Sequence, residues 1–198
     1  MSPRFEIDHL FIAVSRGAPE LEPLQELGFH EGPPNVHPGQ GTACRRVFFE
    51  NVYLELIWLE DRAEASAPAI APTGLAARAA GEEGASRLGV ALRPRPGVEP
   101  DPPIPTWPYA PPYLPDGLSI PVAESSRVVS EPLLFFMPWE RRWTAPRLPH
   151  PNGARRVTDV TIRVPAATDP SPALAWLERS GLVGIGSGPV ERLALELD

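Results

Sequence analysis

Four side chains that can bind a metal interrupt otherwise apolar, strand-like segments of the chain. His9 lies in "IDHLFIAV", Glu55 in "YLELI", Asp159 in "TDVTIRV" and Glu196 in "ALELD". If these segments face a common groove, one imidazole and three carboxylates converge there. Such a donor set suits an oxygen-preferring divalent ion with open positions, such as Mn²⁺, Fe²⁺ or Mg²⁺, better than a closed zinc site. A carboxylate such as Glu55 or Glu196 could then move a proton.

The two ends of the chain have similar patterns, which predicts a duplicated unit. Each end predicts a strand, then a helix that stops at a glycine, then further strands, and each closes on Leu-Glu-Leu. The predicted segments are strand 5–14, helix 18–29, hairpin 42–51 and 52–60, strand 156–165, helix 168–182 capped by Thr168 or Asp169, and strand 191–197. In this alignment His9 matches Asp159, and Glu55 matches Glu196. The strands around His9 and Asp159 are therefore expected to lie close together about a pseudo-two-fold axis, with the two helices on the outer face.

The middle of the chain is rich in both proline and aromatic residues. Sixteen of the 28 prolines lie between Pro94 and Pro151, together with Trp107, Tyr109 and Tyr113. Disordered linkers are poor in aromatic residues, so this stretch is predicted to be an ordered insertion that covers one mouth of the groove. The remaining predictions for this part are a flexible connection at 62–72, a helix at 74–83, and strands at 87–94, 118–123 and 132–137. The resulting organisation is a first module at 5–60, a connecting region with the insertion at 61–151 and a shortened second module at 152–198, all in one integrated domain.

Composition excludes several functional classes. The 198 residues carry a net charge of −7, and no block of basic residues is longer than two, which argues against a nucleic-acid partner. All 18 basic residues are arginines, so Schiff-base chemistry and a Walker-type phosphate loop are excluded. The single cysteine excludes an internal disulfide and a cysteine-rich zinc site. No segment has the length of a membrane span or the core of a signal peptide, so a cytoplasmic protein with no membrane partner is expected.

Two of the segments resemble the vicinal oxygen chelate superfamily, and the loops at 37–46, 107–115 and 150–154 resemble its glyoxalase-like branch. "IDHLFIAV" is similar to the first strand of that superfamily, which carries a metal-binding histidine, and "YLELI" is similar to the fourth strand, whose glutamate is a second ligand. The resemblance implies an α+β fold in which paired βαβββ modules form a curved mixed sheet around a cavity. It implies a divalent metal ion (Mn, Fe, Zn or Mg), a small-molecule ligand, and a homodimer. Histidine is common in this superfamily where Asp159 stands here.

Register and side-chain type add expectations about the groove. Because side chains alternate across a sheet, His9 and Glu55 should share one cavity with Tyr53 and Ile57, while Asp8, Leu10 and Ile12 face away. Arg45 or Arg46 could bind an anionic or carbonyl-bearing ligand, and Trp107, Tyr109 and Tyr113 could line an apolar pocket. His37 and His150 each precede a proline and are interpreted as turn residues, with a cavity rim as the alternative. Cys44 is interpreted as a buried strand residue.

Two functions remain open at this stage. The first is a metal-dependent isomerase, lyase or dioxygenase acting on a small carbonyl, enol or diol compound. The second is a metal-free protein of the same fold that binds or sequesters a small molecule. Asp159 in place of a histidine, and the shortened second module, favour the second.

Overall fold

The computed structural model describes residues 4–139, 148–165 and 170–198, which form an α+β fold dominated by one large mixed sheet. Within these residues there are two sheets and four short α-helices. The strands are β1 (Phe5–Ala13), β2 (Asn35–His37), β3 (Thr42–Phe48), β4 (Tyr53–Leu59), β5 (Leu88–Pro94), β6 (Thr106–Tyr109), β7 (Ile120–Ala123), β8 (Leu133–Phe136), β9 (Val157–Pro165), β10 (Gly184–Gly188) and β11 (Arg192–Leu197). The helices are α1 (Leu21–Glu26), α2 (Arg62–Ala65), α3 (Leu75–Ala80) and α4 (Pro172–Arg179). No helix in these ranges is long and apolar enough to cross a membrane.

The large sheet consists of two halves with the same strand order. Its eight strands lie in the order β2-β3-β4-β1-β5-β8-β7-β6. In each half the first strand (β1 or β5) lies beside the last strand (β4 or β8), and the other two strands follow towards the edge of the sheet. In the first half His9 pairs with Tyr53 in a parallel ladder, and in the second Gly89 pairs with Leu133 at the same sequence separation. The halves meet through the antiparallel pair β1 and β5. The large sheet therefore does contain a repeated unit, but its second copy is formed by residues 88–136 and not by the end of the chain, where the sequence predicts it.

The last part of the chain forms a separate sheet. Strand β9 lies at the centre of a three-stranded sheet, parallel to β10 and antiparallel to β11. The prediction that the strands around His9 and Asp159 lie together in one duplicated sheet is wrong. The segment predicted to be an insertion holds β6, β7 and β8, and these strands take the place beside the first module that was expected for residues 152–198. The arrangement is set by which strands pair in the sheet, and the similarity between the two ends of the sequence does not predict that pairing.

Two apolar clusters lie on opposite faces of the large sheet. One packs that sheet against the three-stranded sheet and α4, through residues such as Leu10, Leu56, Leu134, Ile162 and Leu177. The other lies on the face that carries α3. Each cluster removes large aliphatic and aromatic side chains from water, at about 25 cal/mol per Å² of apolar area. The face that packs against the three-stranded sheet therefore forms the main core, and the face that carries α3 surrounds a cavity.

Two local expectations need correction. The stretch 62–72, expected to be a flexible connection, contains α2, and its Ile70 is fully buried. Helix α4 begins after Ser171, whose side chain accepts a hydrogen bond from the Leu174 backbone N–H. The expected caps Thr168 and Asp169 lie outside the described residues. At the end of α1, Gly28 has φ +84°, the left-handed conformation expected of a helix stop.

A buried arginine ties α3 to two neighbouring loops. The Arg78 side chain is fully buried and donates hydrogen bonds to the carbonyl oxygens of Thr73, Ser126 and Glu131 at 3.1, 2.9 and 2.5 Å. Burial lowers the pKa of Arg78 to about 10, which still leaves the guanidinium charged at neutral pH. The peptide carbonyls thus satisfy the charge and hold together the loops that precede α3 and β8.

Acidification should destabilise the protein through two histidines. Burial lowers the pKa of both His150 and His37 below the usual range. The Nδ1 of His150 accepts the His30 N–H at 2.9 Å and its Nε2 faces the Phe48 carbonyl at 3.1 Å, so a second ring proton would displace the His30 N–H. On acidification these histidines become protonated at a higher pH in the unfolded chain than in the folded protein, because their pKa is lowered only in the folded state. The free energy of unfolding is therefore unaffected by them above pH ~6.5 and falls below that pH, by up to about 1.4 kcal/mol per histidine per pH unit.

Urea unfolding at pH 7.5 and 5.5 measures this effect. The free energy of unfolding should be lower at pH 5.5, and His150→Gln should make the difference between the two pH values smaller. Equal stability of the wild type at both pH values would contradict the prediction.

Candidate functional site

A cavity of about 210 Å³ lies on one face of the large sheet and draws its walls from both halves. The first half contributes most of the polar lining, which includes His9, His37, Gln40 and Glu55. The second half contributes mainly apolar walls, including Ile120, Val122, Leu133 and Phe135, and Leu75 of α3 adds to them. Tyr53 and Ile57 line the cavity beside His9 and Glu55, as the strand alternation predicts. A space of this size, with polar groups at one end, fits a small organic molecule.

His9 is held in one tautomer by the residue before it in the chain. A β-bulge between Ile7 and His9 allows the Asp8 carboxylate to reach the ring, with Oδ2 3.1 Å from His9 Nδ1. Arg93 donates to the other Asp8 oxygen at 2.9 Å. Burial alone would raise the pKa of Asp8, but His9 and Arg93 outweigh it and hold this pKa below its usual value. An ionised carboxylate only accepts, so Nδ1 carries the proton and the Nε2 lone pair is directed away from Asp8.

His9 Nε2 and Glu55 Oε2 are separated by 4.0 Å inside the cavity. That is too long for a hydrogen bond, and it exceeds by about 0.6 Å the separation of two tetrahedral ligands at 2.0–2.2 Å, so a small closing movement of the pair lets one ion bind both atoms. Both residues are at least nine-tenths buried, and the His9 ring stacks on Tyr53 with centroids 4.6 Å apart. The residues present therefore fit a divalent metal ion at this place.

Two further donors lie beside Glu55. The Cys44 thiol donates to Glu55 Oε1 at 3.5 Å, and the ligand atoms of His37, Cys44 and Glu55 all lie within 4.8 Å of one another. Burial and the Glu55 carboxylate raise the pKa of the Cys44 thiol, so it keeps its proton at neutral pH. Burial lowers the pKa of His37, which keeps its imidazole neutral and able to act as a ligand.

The polar lining continues in a cluster around Gln40. The Tyr109 and Tyr113 hydroxyls both donate to Gln40 Oε1, at 2.7 and 3.2 Å, and Gln40 Nε2 donates to Thr42 at 2.7 Å. Burial raises the pKa of both tyrosines, so the phenols are neutral. Two of the three aromatic residues predicted as pocket lining thus line the cavity. Trp107 instead packs beside Tyr109, with the Arg127 guanidinium 4.8 Å from its ring centroid.

The two predicted anion-binding arginines are engaged with other groups. Arg45 forms a two-point ion pair with Glu31 at 2.8 and 2.6 Å, away from the cavity lining. Arg46 lies opposite Glu55 in the β3–β4 ladder and donates to the Pro33 carbonyl at 2.8 Å. Its guanidinium lies over the Tyr53 ring at 5.8 Å, so it borders the cavity without lining it.

Asp159 and Glu196 do not join His9 and Glu55. They face each other across the β9–β11 ladder in the three-stranded sheet, where both are exposed. Asp159 contributes to a different groove, between the two sheets, with Glu6 and Arg156. The expectation that four strand residues converge on one ion depended on the wrong second module, so the structure brings together only the pair from the first module.

Some residues of the site are missed by sequence reasoning. His37, interpreted as a turn residue, ends β2 and lines the cavity, while His150 lies elsewhere against Phe48 and Phe49. Asp8, expected to face away, contacts His9. Cys44 is buried, as expected, but its contact with Glu55 gives it a place in the site. The sequence does contain a signal for His37. In "HPGQGTAC" a short polar turn joins the strand that ends at His37 to the strand that carries Cys44, and this places the two residues on neighbouring strands.

The described residues define the class: an α+β protein in which two similar half-sheets line a shared cavity. Residues 7–96 match a family model described as a glyoxalase-like domain. Residues 7–96 therefore carry a glyoxalase-like domain, in keeping with the sequence resemblance to the vicinal oxygen chelate superfamily.

Among the solved structures that are similar to this chain, two belong to hypothetical proteins. One, from Bacillus halodurans, is 16% identical with a TM-score of 0.44 and covers 67% of this chain and 92% of its own. The other, from Staphylococcus aureus, is 11% identical with a TM-score of 0.49 and covers 95% of this chain and 88% of its own. No functionally curated protein matches the chain.

Proposed function

We propose that this protein is a metal-dependent enzyme that acts on a small carbonyl, enol or diol compound in the cavity. The observation that carries the proposal is the buried pair His9 Nε2 and Glu55 Oε2, which lie 4.0 Å apart. On the other side of the His9 ring, Asp8 contacts Nδ1 and fixes the tautomer. A carboxylate that orients a histidine is a recurring partner of histidine metal ligands. When bound, the ion would stabilise negative charge that develops on a substrate oxygen.

The chain's own residues have separable tasks in this proposal. His9 and Glu55 would hold the ion, and Asp8 would keep the His9 lone pair directed at it. Among the described residues, Glu55 is the one carboxylate that lines the cavity. The Glu55 oxygen that does not bind the ion would therefore receive the proton from the substrate. The apolar walls of the second half would exclude water and hold the body of the substrate. Isomerase, lyase and dioxygenase chemistry are all compatible with this arrangement.

A second candidate is a metal-free protein that binds a small molecule. The observation in its favour is the second half of the cavity, where the strand positions facing His9 and Glu55 carry apolar side chains such as Leu133 and Phe135. A binding protein needs no more than this apolar surface and a few polar groups to orient its ligand. Cytoplasmic location and dimer formation remain predictions for both candidates.

Calorimetric titration of Mn²⁺ or Zn²⁺ into the chelator-treated protein tests the proposal. Wild type should bind the ion, whereas His9→Ala should weaken binding at least about 100-fold, because one of few protein ligands is lost. Far-ultraviolet circular dichroism should show that the variant is folded. Equal binding by both proteins, or none by either at millimolar metal, would rule out the enzyme and favour the metal-free candidate.

A further inference from the structure

We infer that Cys44 and His37 belong, with Glu55, to the donor set of the cavity ion, and that the site therefore selects Zn²⁺ or Co²⁺ over Mg²⁺ and Mn²⁺. This inference rests on the proposed function, since it concerns the same ion. It replaces the oxygen-rich donor set expected from sequence with one of nitrogen, sulfur and oxygen.

The spacing of Cys44 and Glu55 is that of two ligands of one zinc ion. Zn–S and Zn–O distances of about 2.3 and 2.0 Å, at a tetrahedral angle, place the sulfur and oxygen about 3.5 Å apart. Cys44 Sγ lies 3.5 Å from Glu55 Oε1. The residues occupy neighbouring strands, with Cys44 opposite Ile57 and Glu55 opposite Arg46, so the sheet fixes their spacing. The thiol proton lies between these two atoms, where an ion could replace it.

His37 completes the group from the adjoining strand. Its ring contacts Thr42 Oγ1 through Nδ1 at 3.0 Å and the Asn35 side chain through Nε2 at 3.1 Å. Its ligand atom lies within 4.8 Å of those of Cys44 and Glu55, so a small shift of the ring, with loss of one hydrogen bond, would bring it to an ion. Strand β2 is three residues long and lies at the edge of the sheet, where such a shift disturbs little else.

The chemistry of the donors decides which ion is held. Thiolate and imidazole favour Zn²⁺ and Co²⁺, whereas Mg²⁺ and Mn²⁺ prefer carboxylate, carbonyl and water oxygens. Binding would form a metal–sulfur bond, break the Cys44 S–H bond and release one proton to solvent, with no change of oxidation state. The buried thiol, which the proposed reaction does not otherwise use, thereby gains a role.

Cobalt titration followed by absorption spectroscopy tests this directly. Because the chain has a single cysteine, a thiolate-to-cobalt charge-transfer band in the near ultraviolet can only come from Cys44. Wild type should develop the band at one Co²⁺ per chain and release one proton. Cys44→Ser should lose the band and weaken Zn²⁺ binding roughly 100-fold, and His37→Gln should weaken it by about tenfold or more. His150→Gln, a histidine change outside the cavity, should leave both unchanged.

The outcomes separate the inference from the proposed function. Cobalt binding that depends on His9 but produces no charge-transfer band would overturn the inference and leave the proposed function standing. An absence of Co²⁺ and Zn²⁺ binding at millimolar concentration would overturn both. Tighter binding of Mn²⁺ than of Zn²⁺ by folded wild type would also overturn the inference.

Discussion

Replacing Arg93 with methionine should lower the free energy of unfolding by about 3–5 kcal/mol, which is the usual cost of removing one partner of a buried ion pair. The Arg93 side chain is 1% exposed and donates to Glu6 Oε1 and Asp8 Oδ1, both at 2.9 Å. Methionine fills a similar volume but leaves Asp8 buried without its guanidinium partner. Urea unfolding at pH 7.5 measures the loss.

A nearby arginine provides a matched control for this substitution. Arg95 approaches Glu6 at 3.7 Å, but its side chain is 42% exposed. Arg95→Met should therefore change stability by about 1 kcal/mol or less, as for other surface ion pairs. Similar losses for the two variants would show that Arg93 acts through general packing and not through the buried carboxylates.

Replacing Glu55 with glutamine should abolish detectable divalent-ion binding and leave the fold intact. Glutamine keeps the shape and can still accept the Cys44 S–H through its carbonyl oxygen, but it removes the charge that the ion requires. Because Glu55 is a carboxylate at 5% exposure, its neutralisation should leave the metal-free protein equally or more stable. Wild type should melt at a higher temperature with Zn²⁺ than without, and the variant should show no such difference.

Glu60→Gln is the matched control for Glu55→Gln. Glu60 follows the same strand, its side chain is 40% exposed, and it pairs with Arg16 outside the cavity. This variant should keep the wild-type stabilisation by Zn²⁺. An equal loss in both variants would mean that the ion binds to surface carboxylates, and it would remove the cavity as the metal site.

Much of the first module can be derived from sequence because its signals are local. Alternating apolar residues predict β1 and β4, and the pleat then requires His9 and Glu55 to face the same side as Tyr53 and Ile57, which all line the cavity. The superfamily resemblance of "IDHLFIAV" and "YLELI" points to the same pair. These conclusions depend only on side-chain alternation within strands and on short connections.

The second module shows where sequence reasoning fails. Residues 157–197 repeat the strand–helix–strand pattern of the first module, but they form a separate three-stranded sheet. Residues 88–136 lack a described helix between their first two strands and carry many prolines, yet they pair in the same order as the first module. Which strand pairs with β1 depends on contacts between residues far apart in the chain, and such contacts leave no periodic signal.

The sequence by itself determined the fold class, the first module and two of the candidate ligands, because these follow from hydrophobic alternation and a short motif. Only the tertiary structure decided that Asp159 and Glu196 lie in a separate sheet while His37 and Cys44 lie within 4.8 Å of Glu55. The physical reason is strand pairing. Hydrogen bonding between β2, β3 and β4 brings side chains from three separate segments to one face, and no spacing within a single segment encodes that approach.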